Sequence, residues 1–106
     1  MAITAPYELI NAAVPISDWV DQRLLNTDTA ESYTVPARAR YALISADHPI
    51  AVRVGGTAVW PAADISDGSG SQYIPSTIQC KVESGRAISM IRASGQATFV
   101  TIGLYD

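Results

Sequence analysis

The sequence predicts an all-β protein, either an antiparallel β-sandwich or a small barrel with Greek-key-like or jelly-roll-like connections, preceded by an extended N-terminal arm. Three observations predict it. Short apolar runs recur about every 8 to 12 residues, turn-forming residues separate them, and no long helical pattern interrupts the series. We therefore expect seven or eight strands in a single domain over residues 16–106, with residues 1–15 as the arm.

Composition sets the class of protein. Of 106 residues, 48% are hydrophobic and 16% are charged, which is enough apolar material for one core and too little charge for a disordered chain. A net charge of −3 argues against nucleic-acid binding, which needs clustered Lys and Arg. Cys80, the only cysteine, cannot form an internal disulfide, so a reducing cytosol is expected. A signal peptide and a membrane span are not expected, because the N-terminus lacks a basic start and no run approaches about 20 apolar residues.

The N-terminal part holds the arm and one ambiguous element. Residues 1–15 contain two prolines and scattered apolar side chains without a sustained period, so an extended arm is expected, lying on its own domain or on a neighbouring subunit. In Ile16–Asn26, residues such as Trp19 and Leu24 have the spacing of a helical stripe. Every later element resembles a strand, so a strand is favoured here over a short helix.

The centre of the chain, Tyr33–Trp60, is built of apolar runs separated by tight turns. Glu31–Val35 is a strand that ends before a proline, which lacks a ladder donor. Arg38–Ser45 and Ile50–Val54 are expected to form a hairpin around the bend at residues 47–49. In the second strand of this hairpin, the alternation predicts that one set of side chains points inward (Ile50, Val52, Val54) and the other toward solvent (Ala51, Arg53).

Gly55 and Gly56 end the predicted strand Ile50–Val54, either by adopting positive φ or by letting a neighbouring part of the chain approach closely. Thr57–Trp60 is predicted to be a short strand. Residues 62–75, rich in Asp, Gly and Ser, form the longest predicted loop, and loops of this length often carry function or contact a partner.

Three more strands follow this loop. In the first, Ile78, Cys80 and Val82 are predicted to face inward. Ala87–Ala93 is the next. Ala97–Tyr105 has apolar residues on both faces, which is typical of a central strand.

Residues able to support catalysis are isolated from one another. His48, the only histidine, lies in a predicted turn, and Cys80 lies on a predicted core face. The loop Asp64–Gly70 contains carboxylates and glycines but departs from the calcium-loop spacing. We therefore expect no enzymatic activity, no cofactor and no metal. The aromatic residues suggest a sugar platform or an interface as a further reading: Tyr7, Trp19, Trp60, Tyr73, Tyr105.

One long stretch resembles a known class of proteins. It reads TVPARARYALISADHPIAVRVGGTAVWPAADISDGSGSQYIP and is followed by strands that end in TIGLYD. A VPA-type turn, a strand pair, a GG-x-A-x-x-P segment and a DG turn in this order resemble small structural proteins from the head and tail modules of tailed bacteriophages. The likeness runs from Val35 to the C-terminus, about two thirds of the chain.

The resemblance implies a virion protein made in the host bacterial cytoplasm, present in many copies and assembled on a shell or tail. Head decoration, or cement, is the favoured role. The expected partner is the major capsid protein or another virion protein. The expected assembly is a homo-oligomer, for example a trimer. A tail or connector protein and a small carbohydrate- or ligand-binding module are the alternatives. Partner contacts are expected from the arm and the long loop, at Ile3, Tyr7, Leu9, Ile10, Trp60, Ile65 and Tyr73.

Overall fold

The computed structural model describes residues 15–106, which form eight β-strands and no helix. The strands are β1 Val20–Leu25, β2 Glu31–Thr34, β3 Tyr41–Ala46, β4 Ile50–Val54, β5 Gln72–Ile74, β6 Thr77–Lys81, β7 Ala87–Arg92 and β8 Thr98–Tyr105. The predicted all-β fold is confirmed, and so is the preference for a strand in residues 16–26. The predicted arm lies almost wholly outside the described residues.

Two four-stranded antiparallel sheets face each other. Sheet A has the order β1-β8-β3-β6 and sheet B the order β2-β7-β4-β5. The pairs β1 with β8, β2 with β7, β3 with β6 and β4 with β5 are nested, as though one long hairpin had been folded over on itself. This connectivity is that of an eight-stranded jelly roll, one of the topologies that the sequence left open.

The core lies between the sheets and consists of the side chains that face inward, which come from every second residue along each strand. Strand β8 contributes most, with Val100 and Ile102 fully buried and Leu104 nearly so. Its central place in sheet A was predicted from its two apolar faces and is confirmed. The other large buried side chains come from both sheets: Leu25, Tyr33, Val35, Ile44, Ile50, Ile74, Ile88, Met90.

The predicted hairpin of β3 and β4 is wrong, because the two strands belong to different sheets. The bend between them is tied to β8. The Phe99 backbone N–H donates to the Asp47 carboxylate at 2.9 Å, and the Asp47 N–H donates to the Phe99 carbonyl at 3.2 Å. The prediction failed because period-two alternation is the same in a hairpin and in two strands of facing sheets. Here Ile44 and Ile50 enter the same core from opposite sheets.

Thr57–Trp60 is not a strand, which corrects a second prediction. The segment lies over the outer face of sheet B, where the Ala58 N–H donates to Ser89 Oγ at 2.9 Å and Ala58 is 2% exposed. Ala51, predicted to face solvent, is on this same face and is fully buried. The chain's own loop therefore covers much of the outer side of sheet B.

The long loop is shorter than expected at its C-terminal end, since Gln72–Ile74 pairs with β4 as strand β5. At its N-terminal end both predicted glycine roles occur. Gly55 has a φ of 78°, and a Cβ on Gly56 would meet the Arg53 guanidinium at 2.6 Å. The two glycines thus allow the sharp exit of the chain from β4.

The turn before β2 is held against the β7–β8 turn by Asp28. Its carboxylate accepts hydrogen bonds from the Gly95 N–H at 3.1 Å, the Arg92 guanidinium at 2.9 Å and the Ser94 hydroxyl at 3.1 Å. These donors, the Gly95 N–H first among them, lower the pKa of Asp28. The ion pair and hydrogen bonds together join the two sheets at this end of the sandwich.

Candidate interaction surfaces

The loop residues predicted to contact a partner are only partly brought together. Trp60 and Tyr73 form an edge-to-face pair with ring centroids 5.9 Å apart, and Tyr73 remains 47% exposed. Ile65 is 50% exposed and lies near Gly70, elsewhere on the loop. The four arm residues Ile3, Tyr7, Leu9 and Ile10 lie outside the described residues, so their role stays a prediction.

The loop is fixed by its own polar side chains. The Val59 N–H donates to Ser71 Oγ at 2.9 Å, which joins the two ends of the loop. The Asp67 carboxylate accepts from the Ser69 hydroxyl at 2.6 Å and from the Ser69 N–H at 3.0 Å, and these hydrogen bonds lower the pKa of Asp67. Asp67, a carboxylate of the loop whose spacing departs from that of calcium loops, serves in a turn.

The outer face of sheet A is a larger apolar surface, and sequence reasoning missed it. We call it the sheet A face and define it by four side chains. Val20 and Leu24 lie on β1 and are 46% and 43% exposed. Phe99 lies on β8 and is 55% exposed, and Tyr41 lies on β3 and is 47% exposed. Leu24 and Phe99 are direct cross-strand partners near one end of the sheet, and the Gln22–Thr101 pair separates them from Val20. The outward alternation of Val20 and Leu24 was visible in the sequence, but their meeting with β8 and β3 depends on the sheet order.

Residues 15–19 cross one end of the sheet A face. The Ser17 hydroxyl donates to the Leu104 carbonyl at 2.6 Å, and the Tyr105 hydroxyl donates to the Pro15 carbonyl at 2.6 Å. Gly103 permits this approach, since a Cβ there would be only 3.2 Å from the Ser17 Cβ. Ile16 is 95% exposed in this crossing segment. The chain therefore runs from residue 15 along the apolar side of the sandwich.

A polar cluster lies between β1 and β2 at the edge of the sandwich. The Tyr33 hydroxyl donates to the Asp21 carboxylate at 2.6 Å, while Arg23 lies 3.5 Å from Glu31 and 5.7 Å from the centre of the Tyr33 ring. Burial and the Asp21 carboxylate raise the pKa of Tyr33. These groups are engaged with one another, so the cluster joins the two sheets.

A cleft opens between the sheets at the opposite edge. It has a volume of about 530 Å³, and Val52, Val54, Ile78, Cys80 and Val82 are among its lining residues. Cys80 faces inward with Ile78 and Val82, as predicted, and burial raises the pKa of its thiol. Val54, predicted to be buried, is 51% exposed at this cleft.

The remaining reactive residues are dispersed. His48 is a partly exposed residue of the bend between β3 and β4, and its Nδ1 lies 3.1 Å from the Asp47 carboxylate. Within residues 15–106, no three side chains of His, Cys, Asp or Glu lie close enough to hold a metal ion together. Over the same residues, no helix has the length and apolar character needed to cross a membrane.

No protein-family model matches this chain, and neither a curated protein nor a solved structure does.

Proposed function

We propose that this chain is a non-enzymatic structural protein of a virion, a decoration or cement protein that binds the major capsid protein lattice of a tailed bacteriophage and stabilises the head. The protein is made in the host bacterial cytoplasm and acts in the assembled particle as a homo-oligomer such as a trimer. The sequence resemblance from Val35 onward suggests this role. The jelly roll is compatible with it, because this fold occurs in viral capsid proteins as well as in lectins.

The sheet A face is the observation on which the proposal rests. Sheet B is covered on its outer side by the loop that contains Ala58, whereas sheet A leaves four large apolar side chains each about half exposed. Exposed apolar side chains that share one face of a sheet, with Leu24 and Phe99 in direct cross-strand contact, are a feature of interaction sites. Pro15, the first described residue, lies on this same side of the molecule, where its carbonyl accepts the Tyr105 hydroxyl at 2.6 Å.

The size of this surface predicts weak binding by a single copy. Full burial of a Val, Leu or Phe side chain contributes about 1.5–3 kcal/mol, so four half-exposed side chains supply roughly 3–6 kcal/mol. Association costs about 4–15 kcal/mol in lost freedom of motion, which cancels most or all of that gain. Additional contacts from the arm and repetition over a symmetric lattice would then make the binding tight.

A co-sedimentation experiment with capsids of the phage that encodes this chain tests the proposal. In the variant Leu24→Ser/Phe99→Ser the cross-strand apolar pair of the sheet A face becomes polar, and we expect at least a tenfold loss of capsid binding. Val59→Ser is the matched control, because Val59 is equally exposed, at 58%, but lies on the loop of the opposite sheet. Equal binding by the native chain and the double variant would contradict the proposal. A variant lacking residues 1–12 separately measures the contribution of the arm.

A carbohydrate-binding module is the alternative that a specific observation favours, namely the edge-to-face pair of the partly buried Trp60 and the exposed Tyr73. Glycan-array binding that is abolished in Trp60→Ala, together with a monomer that ignores capsids, would support this function. Immunogold labelling of particles distinguishes head decoration from a tail or connector position.

A further inference from the structure

We propose that the free edge of strand β1 pairs antiparallel with the same edge of a second copy of this chain, so that two copies form a dimer around a two-fold axis. The inference goes beyond the proposed function, because it names the contact between copies and does not require a capsid. The dimer and the capsid binding can therefore fail independently of each other.

Strand β1 lies at the edge of sheet A, with β8 on one side only. The Leu104 N–H donates to the Trp19 carbonyl, and hydrogen-bonded pairs of an antiparallel ladder recur at every second residue. Asp21 and Arg23 therefore direct their backbone groups at β8. The alternate N–H and C=O groups point away from the sheet and have no hydrogen-bond partner among the described residues. They belong to Val20, Gln22 and Leu24. Such a row of free groups is a template for another strand.

The charged side chains of β1 are complementary to those of a second β1. When the two-fold axis passes between the Gln22 residues of two copies, Asp21 of each copy lies directly opposite Arg23 of the other. This pair is not hydrogen-bonded through its backbone groups, so its Cα atoms would be about 4.5 Å apart, the closer of the two antiparallel spacings. Opposite charges in direct cross-strand contact stabilise a sheet.

The same charges exclude the neighbouring registers. Moving one strand by two residues is the smallest step that keeps the free backbone groups opposite each other. That step places Asp21 opposite Asp21 of the second copy, or Arg23 opposite Arg23. Like charges in direct cross-strand contact are destabilising, and charges on an edge strand commonly prevent pairing for this reason. Their order in β1 permits one register, and the partner that it fits is a second copy of this chain.

Both charged side chains have groups left for this contact. The Tyr33 hydroxyl and the Trp19 indole N–H both donate to Oδ2 of Asp21, so its Oδ1 has no donor among the described residues. Arg23 lies 3.5 Å from Glu31, a distance beyond that of a good hydrogen bond, and its side chain is 37% exposed. A guanidinium of the second copy can therefore donate to Oδ1 without displacing a contact within the first copy.

The selected register also joins the apolar side chains of β1. Val20 of each copy would lie opposite Leu24 of the other, on the outer side of the combined sheet. Within one copy these two side chains are separated by Gln22, whereas across the axis they are direct neighbours. Apolar cross-strand pairs add to the stability of a sheet, so both faces of β1 favour the same pairing.

Sedimentation equilibrium and amide hydrogen exchange on the full-length chain test the dimer. We expect a monomer–dimer equilibrium, and exchange of the Gln22 amide should slow at least about fivefold in concentrated relative to dilute protein, because this N–H becomes hydrogen-bonded. Gln79 is the matched control. It lies on β6, the opposite edge of sheet A, and its N–H also points away from the sheet. Exchange at Gln79 should not depend on concentration.

Proline variants test the edge. Gln22→Pro removes the central N–H of the proposed pairing and no hydrogen bond among the described residues of one copy, and proline is tolerated at such edge positions. We expect the dimer to weaken at least about tenfold, because two symmetric hydrogen bonds are lost. Gln79→Pro, the same change on the other edge, should dimerise like the native chain. The exchange measurement on the native chain does not depend on how these variants fold.

Charge variants test the register. Arg23→Asp places carboxylates opposite each other and should weaken the dimer by a similar factor. The double variant Asp21→Arg/Arg23→Asp restores opposite charges across the axis, so it should recover dimerisation relative to Arg23→Asp.

Three results would overturn the proposal. One is a chain that stays monomeric up to about 1 mM, the concentration range of very weak association. Another is a dimer that Gln22→Pro leaves intact. The third is a trimer, or concentration-dependent protection of Gln79 in place of Gln22, since the contact between copies would then lie elsewhere.

Discussion

Replacement of Ser89 by Ala removes the hydrogen bond that holds the long loop on sheet B. Ser89 Oγ accepts the Ala58 N–H at 2.9 Å, and both residues are buried, with 6% and 2% of their surface exposed. In Ser89→Ala the N–H keeps its buried position without a partner, which costs about 1–3 kcal/mol. For a domain of this size, each kcal/mol corresponds to a decrease in Tm of about 4–8 °C.

Urea unfolding gives the global effect, and amide hydrogen exchange gives the local one. If the loop opens more easily by about 1–3 kcal/mol, exchange of the Ala58 amide should accelerate roughly 5- to 150-fold, because each 1.4 kcal/mol is a factor of ten. Ser32→Ala is the matched control. Ser32 is the cross-strand partner of Ser89 on β2, on the same outer face, but it is exposed.

Ser32→Ala should leave both measurements unchanged to within about 0.5 kcal/mol, as expected for an exposed surface position. If Ser89→Ala behaved in the same way, with an unaltered exchange rate at Ala58, the hydrogen bond would not hold the loop. The covered outer face of sheet B would then need another explanation.

Three further substitutions probe the core, the polar cluster and the Asp28 turn. Ile102→Ala should lower the free energy of unfolding by about 2–5 kcal/mol in urea titrations, because this fully buried side chain leaves a cavity between the sheets. Tyr33→Phe removes the 2.6 Å hydrogen bond to Asp21 and should cost about 1 kcal/mol in the same titrations. Asp28→Asn should destabilise the protein at neutral pH, and its difference from the native chain should shrink as the pH falls below about 4, because the pKa of Asp28 is lowered from 3.8 in the folded state.

The sign of the Asp28 effect follows from linkage. A carboxyl whose pKa is lower in the folded state stabilises that state above its unfolded pKa, and this stability is lost as acid protonates it. Thermal unfolding between pH 7 and 2 measures the effect. Asp64→Asn is the control, because Asp64 lies in the loop and makes no side-chain hydrogen bond or ion pair with the described residues. Identical pH profiles for Asp28→Asn and the native chain would contradict the stabilising role of the Asp28 carboxylate.

For the urea titrations, Thr101→Ala is the control for Ile102→Ala. An unchanged midpoint in Ile102→Ala or in Tyr33→Phe would show that the buried side chain or the hydrogen bond, respectively, contributes nothing to stability.

Alternation in the sequence predicts which way a side chain points, but it does not predict which strand lies opposite. That is why Ile78, Cys80 and Val82 were correctly predicted to face inward, while β3 and β4 were wrongly joined in a hairpin. Thr57–Trp60 has the composition of a strand, and yet it packs on the outside of a sheet, where the Ala58 N–H donates to the Ser89 hydroxyl. Local propensity cannot distinguish these two environments.

The candidate surfaces were less predictable than the fold for the same reason. Trp60 and Tyr73 could be singled out as aromatic residues flanking a polar loop, and the structure does pair them. The sheet A face depends on Leu24 meeting Phe99 across the sheet, which only the strand order determines. The cleft depends on the small number of residues in β5, hidden in the sequence within a loop rich in Gly and Ser.

The pairing of the first strand with the last also constrains how the protein is made. Val20 on β1 pairs with Gly103 on β8, and β8 lies between β1 and β3 in sheet A. Sheet A therefore cannot form completely until β8 has been synthesised. Closing such distant parts of the chain is entropically costly and slows folding. We therefore expect the earlier strands to keep their apolar faces uncovered during translation until β8 leaves the ribosome, and chains in this state are prone to aggregation.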